Sequence, residues 1–190
     1  MAVLTNRIYN HLLRNNILPE EQKDCCRMPR VHKDQLLASK MITSLAKKHQ
    51  RHLCIAWIDY KKAFNSLSHT WIDTVMEMYQ ICPTIRQFVE ASMKEWKTEM
   101  WLFHTKGHVE TKVPIKWGIF LGDSLSPLLF SLALTSLTNM LNKQGAGYEV
   151  EGKNKISHLS YMDDWSYFPS YSRIWQLSKH LVMTYDWSLD

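Results

Sequence analysis

No two cysteines in this chain stand at the spacing of a zinc site or a redox motif. The four are Cys25, Cys26, Cys54 and Cys82, without a CxxC pair or a Cys/His spacing of the zinc type. Adjacent Cys25 and Cys26 are poorly placed to bridge each other, so reduced thiols are expected. That expectation puts the chain inside the cell, nuclear or cytoplasmic and not secreted. No signal peptide is expected either, because Met1 to Leu4 runs straight into Asn6 and Arg7. No apolar run reaches the roughly 18 residues that a membrane-spanning helix needs. The richest stretch, Leu125 to Leu141, is broken by Ser126, Pro127, Ser131, Thr135, Ser136, Thr138 and Asn139. No membrane partner is expected. Glycine and proline are sparse, six of each in 190 residues, which argues against long linkers. Repeats and low-complexity tracts are absent.

What is present fits one domain, or one domain with a small subdomain. Hydrophobic residues make up 45% of the chain and charged residues 22%, enough for a globular core. Eight tryptophans make that core aromatic. The formal net charge of +5 is unevenly spread. Residues 1–62 hold 12 Lys and Arg against 5 Asp and Glu, whereas residues 63–190 hold 11 against 13. A basic front half ahead of a carboxylate-bearing half suits an enzyme that binds a polyanion. A solvated basic helix face explains the same charge equally well.

The periodicity predicts helices over Leu4–Asn15, Asp34–His49, Thr70–Tyr79, Pro83–Lys97, Ser124–Lys143 and about 172–186. A polar loop is expected over Glu20–His32. Leu53–Tyr60 is a continuous apolar run of strand length ending at Asp59, which reads as a buried strand. Trp101–Val113 alternates around Lys106-Gly107 and reads as a hairpin. Ser126 at the N-cap and Pro127 at the first helical position are expected to open the helix ending at Lys143. Tyr148–Val150 reads as a short strand with a turn at Gly152, and 156–168 as a tight hairpin carrying Asp163 and Asp164 at its tip. The expected fold class is α+β, an antiparallel sheet flanked by helices.

Two adjacent carboxylates repel, so a fold that holds both at a hairpin tip commonly binds a cation there. An exposed turn is the plainer reading of Asp163-Asp164 taken alone. Asp59 changes the balance. If the strand ending at Asp59 lies beside the 156–168 hairpin, three carboxylates share one cleft. Such a set can hold two Mg2+ ions roughly 3.5–4 Å apart.

Three segments in order then become specific. They are Ile58-Asp59-Tyr60-Lys61-Lys62-Ala63-Phe64-Asn65, Gly118 to Phe130 with Leu121-Gly122-Asp123 and Ser126-Pro127, and Tyr161-Met162-Asp163-Asp164. Together they resemble motifs A, B and C of reverse transcriptases, those of non-LTR (LINE-type) retrotransposons above all. Leu18 to Lys23 and Lys33 to Leu37 resemble the fingers segment of the same elements. The resemblance implies a polymerase palm with mostly helical fingers: 1–52 as the fingers portion, 53–190 as palm with a fingers insertion at about 80–115. It implies RNA-directed DNA polymerase chemistry on an RNA template and DNA primer with dNTPs, using two Mg2+ ions or Mn2+ in their place. Asp59, Asp163 and Asp164 match the catalytic, metal-binding triad. Phe64 matches the residue under the sugar, which speaks against a ribonucleotide-using polymerase. Gly122, Ser126 and Pro127 match the loop and helix start beneath the new base pair. Arg27 and Arg30 fall near the arginine that grips the triphosphate, and Tyr161 near the primer end.

The pattern is broken in places. The family Gln that contacts nucleotide is Leu121 here, the Asp closing motif A is Asn65, and Trp117 replaces a common basic residue. Asp24 brings a negative charge to the fingers loop. Motif D is expected to be truncated and the thumb absent. The competing expectation is therefore an inactive remnant that binds RNA without sequence preference.

Overall fold

The computed structural model describes residues 1–19, 21, 31–104, 107–145, 147–150 and 154–169. Arg27, Arg30, Asp24 and the helix expected over 172–186 lie outside them, as does most of the loop expected at Glu20–His32. The elements in order are α1 (Ala2–Arg14), α2 (Val31–Lys48), β1 (Ala56–Asp59), α3 (Ala63–Ser66), α4 (His69–Met78), α5 (Pro83–Lys94), β2 (Lys97–His104), β3 (Gly107–Pro114), α6 (Ser126–Lys143), β4 (Tyr148–Val150), β5 (Asn154–Ile156), β6 (His158–Tyr161) and β7 (Asp164–Tyr167). Helices and antiparallel strands are mixed, as the α+β expectation has it.

The main sheet has the order β1-β7-β6 and is antiparallel throughout. One face carries Ile58, His158, Ser160, Trp165 and Tyr167, set by the period of two along each strand. Its Trp165 and Tyr167 join a core with Leu128, Leu132 and Leu137 of α6, Ile72 and Met76 of α4, and Ile8 and Leu12 of α1. Helix α6 is buried on nearly every side, which suits its run of leucines. Two of its buried hydroxyls turn back on their own helix: Ser131 Oγ donates to Pro127 O at 3.0 Å and Thr135 Oγ1 to Ser131 O at 2.9 Å. The opposite sheet face is covered only in part. Leu159 packs there with Ile42 and Ala46 of α2, beside Tyr148 and Phe168.

Four expectations need correction. The strand is β1 alone, Ala56–Asp59, and it is not buried on both faces: Trp57 is 76% exposed. A short apolar run does not reveal how many faces are covered. Helix α2 begins at Val31, three residues before Asp34. Helix α5 stops at Lys94, because Lys97 already enters β2. Ser126 is not an N-cap. Leu125 holds that position, and Ser126 is the first helical residue, 2% exposed and with no capping bond. Asp123 does the capping work instead: its backbone oxygen accepts Ser126 N at 3.3 Å, and its Oδ1 accepts Leu125 N at 3.4 Å. Pro127 then falls at the second helical position, where a missing N–H is still harmless.

The segment before α6 is stitched to α3. Gly118 N donates to Leu67 O at 2.8 Å and Ile119 N to Phe64 O at 2.9 Å. His69 Nε2 donates to Gly118 O at 2.8 Å, and its ring meets Trp96 edge-on at 5.4 Å. Gly118 is required there twice over. Its φ is +87°, and a Cβ would sit 2.8 Å from Asn65 Cα. Gly122 has a similar φ of +91° but open space around it. Gly118→Ala should therefore lose about 3 kcal/mol of unfolding free energy, left-handed strain and overpacking together. Gly122→Ala should lose about 1–2 kcal/mol, the strain alone. Equal losses in urea titrations would show that the contact with Asn65 is not tight.

Candidate active site

The sheet register brings two distant carboxylates face to face. Asp59 at the end of β1 is the direct partner of Asp164 at the start of β7. Facing residues on antiparallel strands have Cβ atoms about 4.5–5.5 Å apart, and like charges so placed destabilise the pair. Neither residue, nor Asp163, forms an ion pair among the described residues. Asp163 occupies the turn between β6 and β7, next to Asp164. Among the described residues no three His, Cys, Asp or Glu side chains converge tightly enough to form a ready cluster. The donor set still fits a hard divalent ion: carboxylate oxygens facing like charges, with no ion pair to neutralise them among the described residues.

The turn that presents Asp163 is strained and clamped. Met162 has φ 49°, and Asp163 is not among the positive-φ residues. A positive φ at only the first central position is the sign pattern of a type II′ turn, which favours glycine there. Methionine in that position costs about 1–2 kcal/mol of backbone strain. Trp165 offsets it. Its indole Nε1–H donates to Met162 O at 3.0 Å, while the ring lies buried beneath the hairpin. Tyr60, next to Asp59, meets the same ring edge-on at 6.3 Å. One indole thus supports both halves of the carboxylate pair.

Behind Trp165 lies His158, stacked on it at 5.3 Å and 6°, and fully buried. A directed chain fixes its tautomer. Ser157 Oγ donates to Asn142 Oδ1 at 3.0 Å, so at 2.7 Å it accepts from His158 Nδ1–H. Asn142 Nδ2 donates in turn to Glu21 Oε1 at 3.1 Å. His158 Nε2 has no hydrogen-bond partner among the described residues. Burial pushes the imidazole down to about 4 from its usual 6.5, opposed only in part by the Glu21 carboxylate.

The remaining residues fall into place as follows. Phe64 stacks on Phe130 at 4.9 Å and 11°, which ties α3 to the first turns of α6. Tyr161 closes the β6–β7 hairpin opposite Asp164. Leu121 is 77% exposed, and Gly122 follows it on the loop before α6. Trp117 bridges to Ser68, and Phe120 packs on Trp96 at 4.6 Å. Asp59, Asp164 and Tyr161 share the wall of one cleft; Phe64, Ser126 and Pro127 do not line it. Sequence reading missed Trp165 and His158. The only signal for either was the alternation that turns both inward.

A chain with this fold and this carboxylate pair has the layout of a nucleotide polymerase palm. Its sequence matches the family described as "Reverse transcriptase (RNA-dependent DNA polymerase)" over residues 2–189. The chain belongs to that family. Among curated proteins it is similar to the "Retrovirus-related Pol polyprotein from type-1 retrotransposable element R2" of Popillia japonica, 30% identical over 107 residues, covering 56% of this chain and 17% of the relative. The polyprotein of the same title from Nasonia vitripennis is 29% identical over 167 residues, covering 85% of this chain and 15% of the relative. The chain thus spans less than a fifth of the length of these relatives. Among solved structures, telomerase from Candida albicans in complex with a fragment of telomeric RNA superposes with a TM-score of 0.60 at 12% identity, over 94% of this chain and 32% of that one. Apo telomerase from Candida tropicalis truncated from its C-terminal domain gives 0.62 at 14%, over 95% and 36%. These likenesses show the fold, a polymerase palm with fingers. No helix among the described residues is long and apolar enough to cross a membrane.

The buried imidazole yields a pH prediction. Its folded pKa lies below the unfolded one, so its contribution to stability is complete above about pH 6.5 and falls away as the pH drops towards about 4. The loss should run at about 1.4 kcal/mol per pH unit. His158→Phe keeps a flat ring on Trp165 and removes the titration. The stability of wild type relative to His158→Phe should fall between pH 6.5 and 4 in denaturant titrations. A pH-independent difference would mean that His158 is solvated.

Proposed function

We propose that this chain is the fingers–palm part of a retrotransposon RNA-directed DNA polymerase, with residues 1–52 as fingers and 53–190 as palm. Its substrates are an RNA template, a DNA primer and dNTPs. The observation that carries the reading is Asp59 facing Asp164 across β1 and β7, with Asp163 beside them, in a chain matching the family almost end to end. Asp59, Asp163 and Asp164 would hold two Mg2+ ions, or Mn2+, which when bound neutralise phosphate charge and lower the pKa of the primer hydroxyl.

The chain's own residues do the rest. The β1–β7 register and the Trp165 clamp hold the carboxylates before substrate arrives, so little reorganisation is needed at reaction. Phe64, locked on Phe130, sits under the sugar and excludes a 2′-hydroxyl. Gly122 takes a backbone angle that lets the loop approach the base pair, while Ser126 and Pro127 fix the start of α6 below it. Tyr161 supports the primer end. Arg27 or Arg30 holds the triphosphate through its planar fork. In-line attack by the primer 3′-hydroxyl on the α-phosphate forms the new P–O bond and releases pyrophosphate.

One observation favours the second reading, an RNA-binding remnant. Leu121 presents an apolar side chain to solvent where the family places a hydrogen-bonding Gln. Primer extension on an RNA template with dNTPs and Mg2+ separates the two. Asp164→Asn should cut incorporation at least about 100-fold, the scale of lost electrostatic stabilisation. RNA binding without incorporation by the unmodified chain would establish the remnant. Leu121→Gln should lower the nucleotide KM by roughly 5- to 100-fold, the worth of one polar contact. An unchanged KM would show that position 121 does not face the nucleotide.

A further inference from the structure

The β2–β3 hairpin has little support from the rest of the molecule. Beyond their own ladder, its strands make only marginal contact with the other described elements. The packing is at the base, where Trp96, just before β2, meets His69 edge-on and Phe120 at 4.6 Å. Met100, Leu102 and Val113 are exposed although apolar, and by register they share one face with Thr98 and Thr111. Two strands alone are marginally stable in water and gain from a third. Among the described residues no further strand pairs with either one.

The outer edge of β3 indicates which strand would fit. Ile115 N donates to Trp96 O at 2.9 Å. Counting along the ladder from that bonded pair, 98/113, 100/111 and 102/109 exchange bonds inside the hairpin. The backbone groups of His108, Glu110, Lys112 and Pro114 therefore face the outer edge. Around Thr111 the sequence is Val109-Glu110-Thr111-Lys112-Val113, apolar at both ends and opposite in charge on either side of the centre. An antiparallel copy centred on Thr111 sets Glu110 opposite Lys112 of the second copy, Val109 opposite its Val113, and Thr111 opposite its Thr111. Each match is of a favourable kind. The neighbouring registers that keep the faces matched set Glu110 against itself or Lys112 against itself, which is unfavourable.

We propose that β3 is a dimerisation edge, pairing antiparallel with β3 of a second copy of this chain about a two-fold axis at Thr111. The contact is isologous and joins the two hairpins into one four-stranded sheet. Lys112 already meets Glu99 at 3.3 Å. Pairing extends that contact into a row of alternating charge: Glu99, Lys112, then Glu110 of the second copy. Pro114 brings no N–H, so the new ladder is short and the contact belongs to the small, concentration-dependent class. Lysine and proline also serve to block strand edges, and a blocked edge predicts a strictly monomeric chain. Among the described residues neither strand lines the cleft of Asp59 and Asp164. The pairing thus leaves that cleft open, and it stands or falls apart from the polymerase reading.

Sedimentation velocity on the full chain across a concentration series should show a monomer–dimer equilibrium. Glu110→Lys sets lysine against lysine, and Lys112→Glu sets glutamate against glutamate. Each should weaken self-association at least about 5-fold, because two cross-strand pairs turn repulsive. Mixed in equal amounts, the two variants meet with opposite charges at both positions. The mixture should associate where neither variant does alone. A wild-type chain that stays monomeric at its highest soluble concentration would overturn the proposal. So would variants that associate like wild type, or a mixture of folded variants that does not recover. Thr111→Cys decides if the charge changes unfold the hairpin. Facing residues of a non-bonded pair stand about 4.5 Å apart at Cα, within disulfide reach. Mild oxidation should link Thr111→Cys chains through position 111. Thr98→Cys chains, whose new thiol lies one strand further from the axis, should link no more than wild type. Equal linking by both variants, or by neither, would sink the pairing.

Discussion

The pairing of β1 with β7 is the constraint on which the rest depends. Asp59 and Asp164 are 105 positions apart in sequence, and only this ladder puts them opposite each other. A slip of β7 by one residue would turn Asp164 into the α6 core and bring Trp165 and Tyr167 to the opposite face. The core prevents the slip. Trp165 and Tyr167 are almost fully buried, and no polar residue could take their places without loss. Hydrophobic burial on one face thus sets the electrostatics of the other.

A second layer of support is local. The turn at Met162 holds an unfavourable φ, and the indole of Trp165 closes on its carbonyl. The same ring contacts Tyr60 on β1 and stacks on His158 behind. His158 is held neutral and tied through Ser157 and Asn142 to Glu21. Charge is kept out of the layer directly beneath the carboxylates, where a cation in the protein would compete with a bound one.

How much of this the sequence revealed follows the range of each interaction. The three carboxylates were legible because their spacing and neighbours form ordered motifs. Most helices were legible because one face of each repeats at helical period. The entry to α6 was misread, since Asp123 and Ser126 are both capping residues and only packing decides which side chain turns inward. Trp57 was misread because a run of apolar residues does not say which face of a sheet is covered. Helix α3 is four residues long and held by long-range bonds to Gly118 and Ile119, which no local window contains. Trp165 and His158 carry no motif, and their roles emerge only from contacts across the sheet.

The long sequence separation of β1 and β7 has a kinetic side. Closing so large a loop costs chain entropy before any ladder contact repays it. The helices between the two strands pack at shorter separations than the strands themselves and are free to form first, and pairing of non-local strands is intrinsically slower. During synthesis the second half of the carboxylate pair leaves the ribosome after α6. A nascent chain that has folded its helical layer therefore still lacks the facing carboxylates. The order of residues in the gene makes the facing of Asp59 and Asp164 later to form than the helices between them.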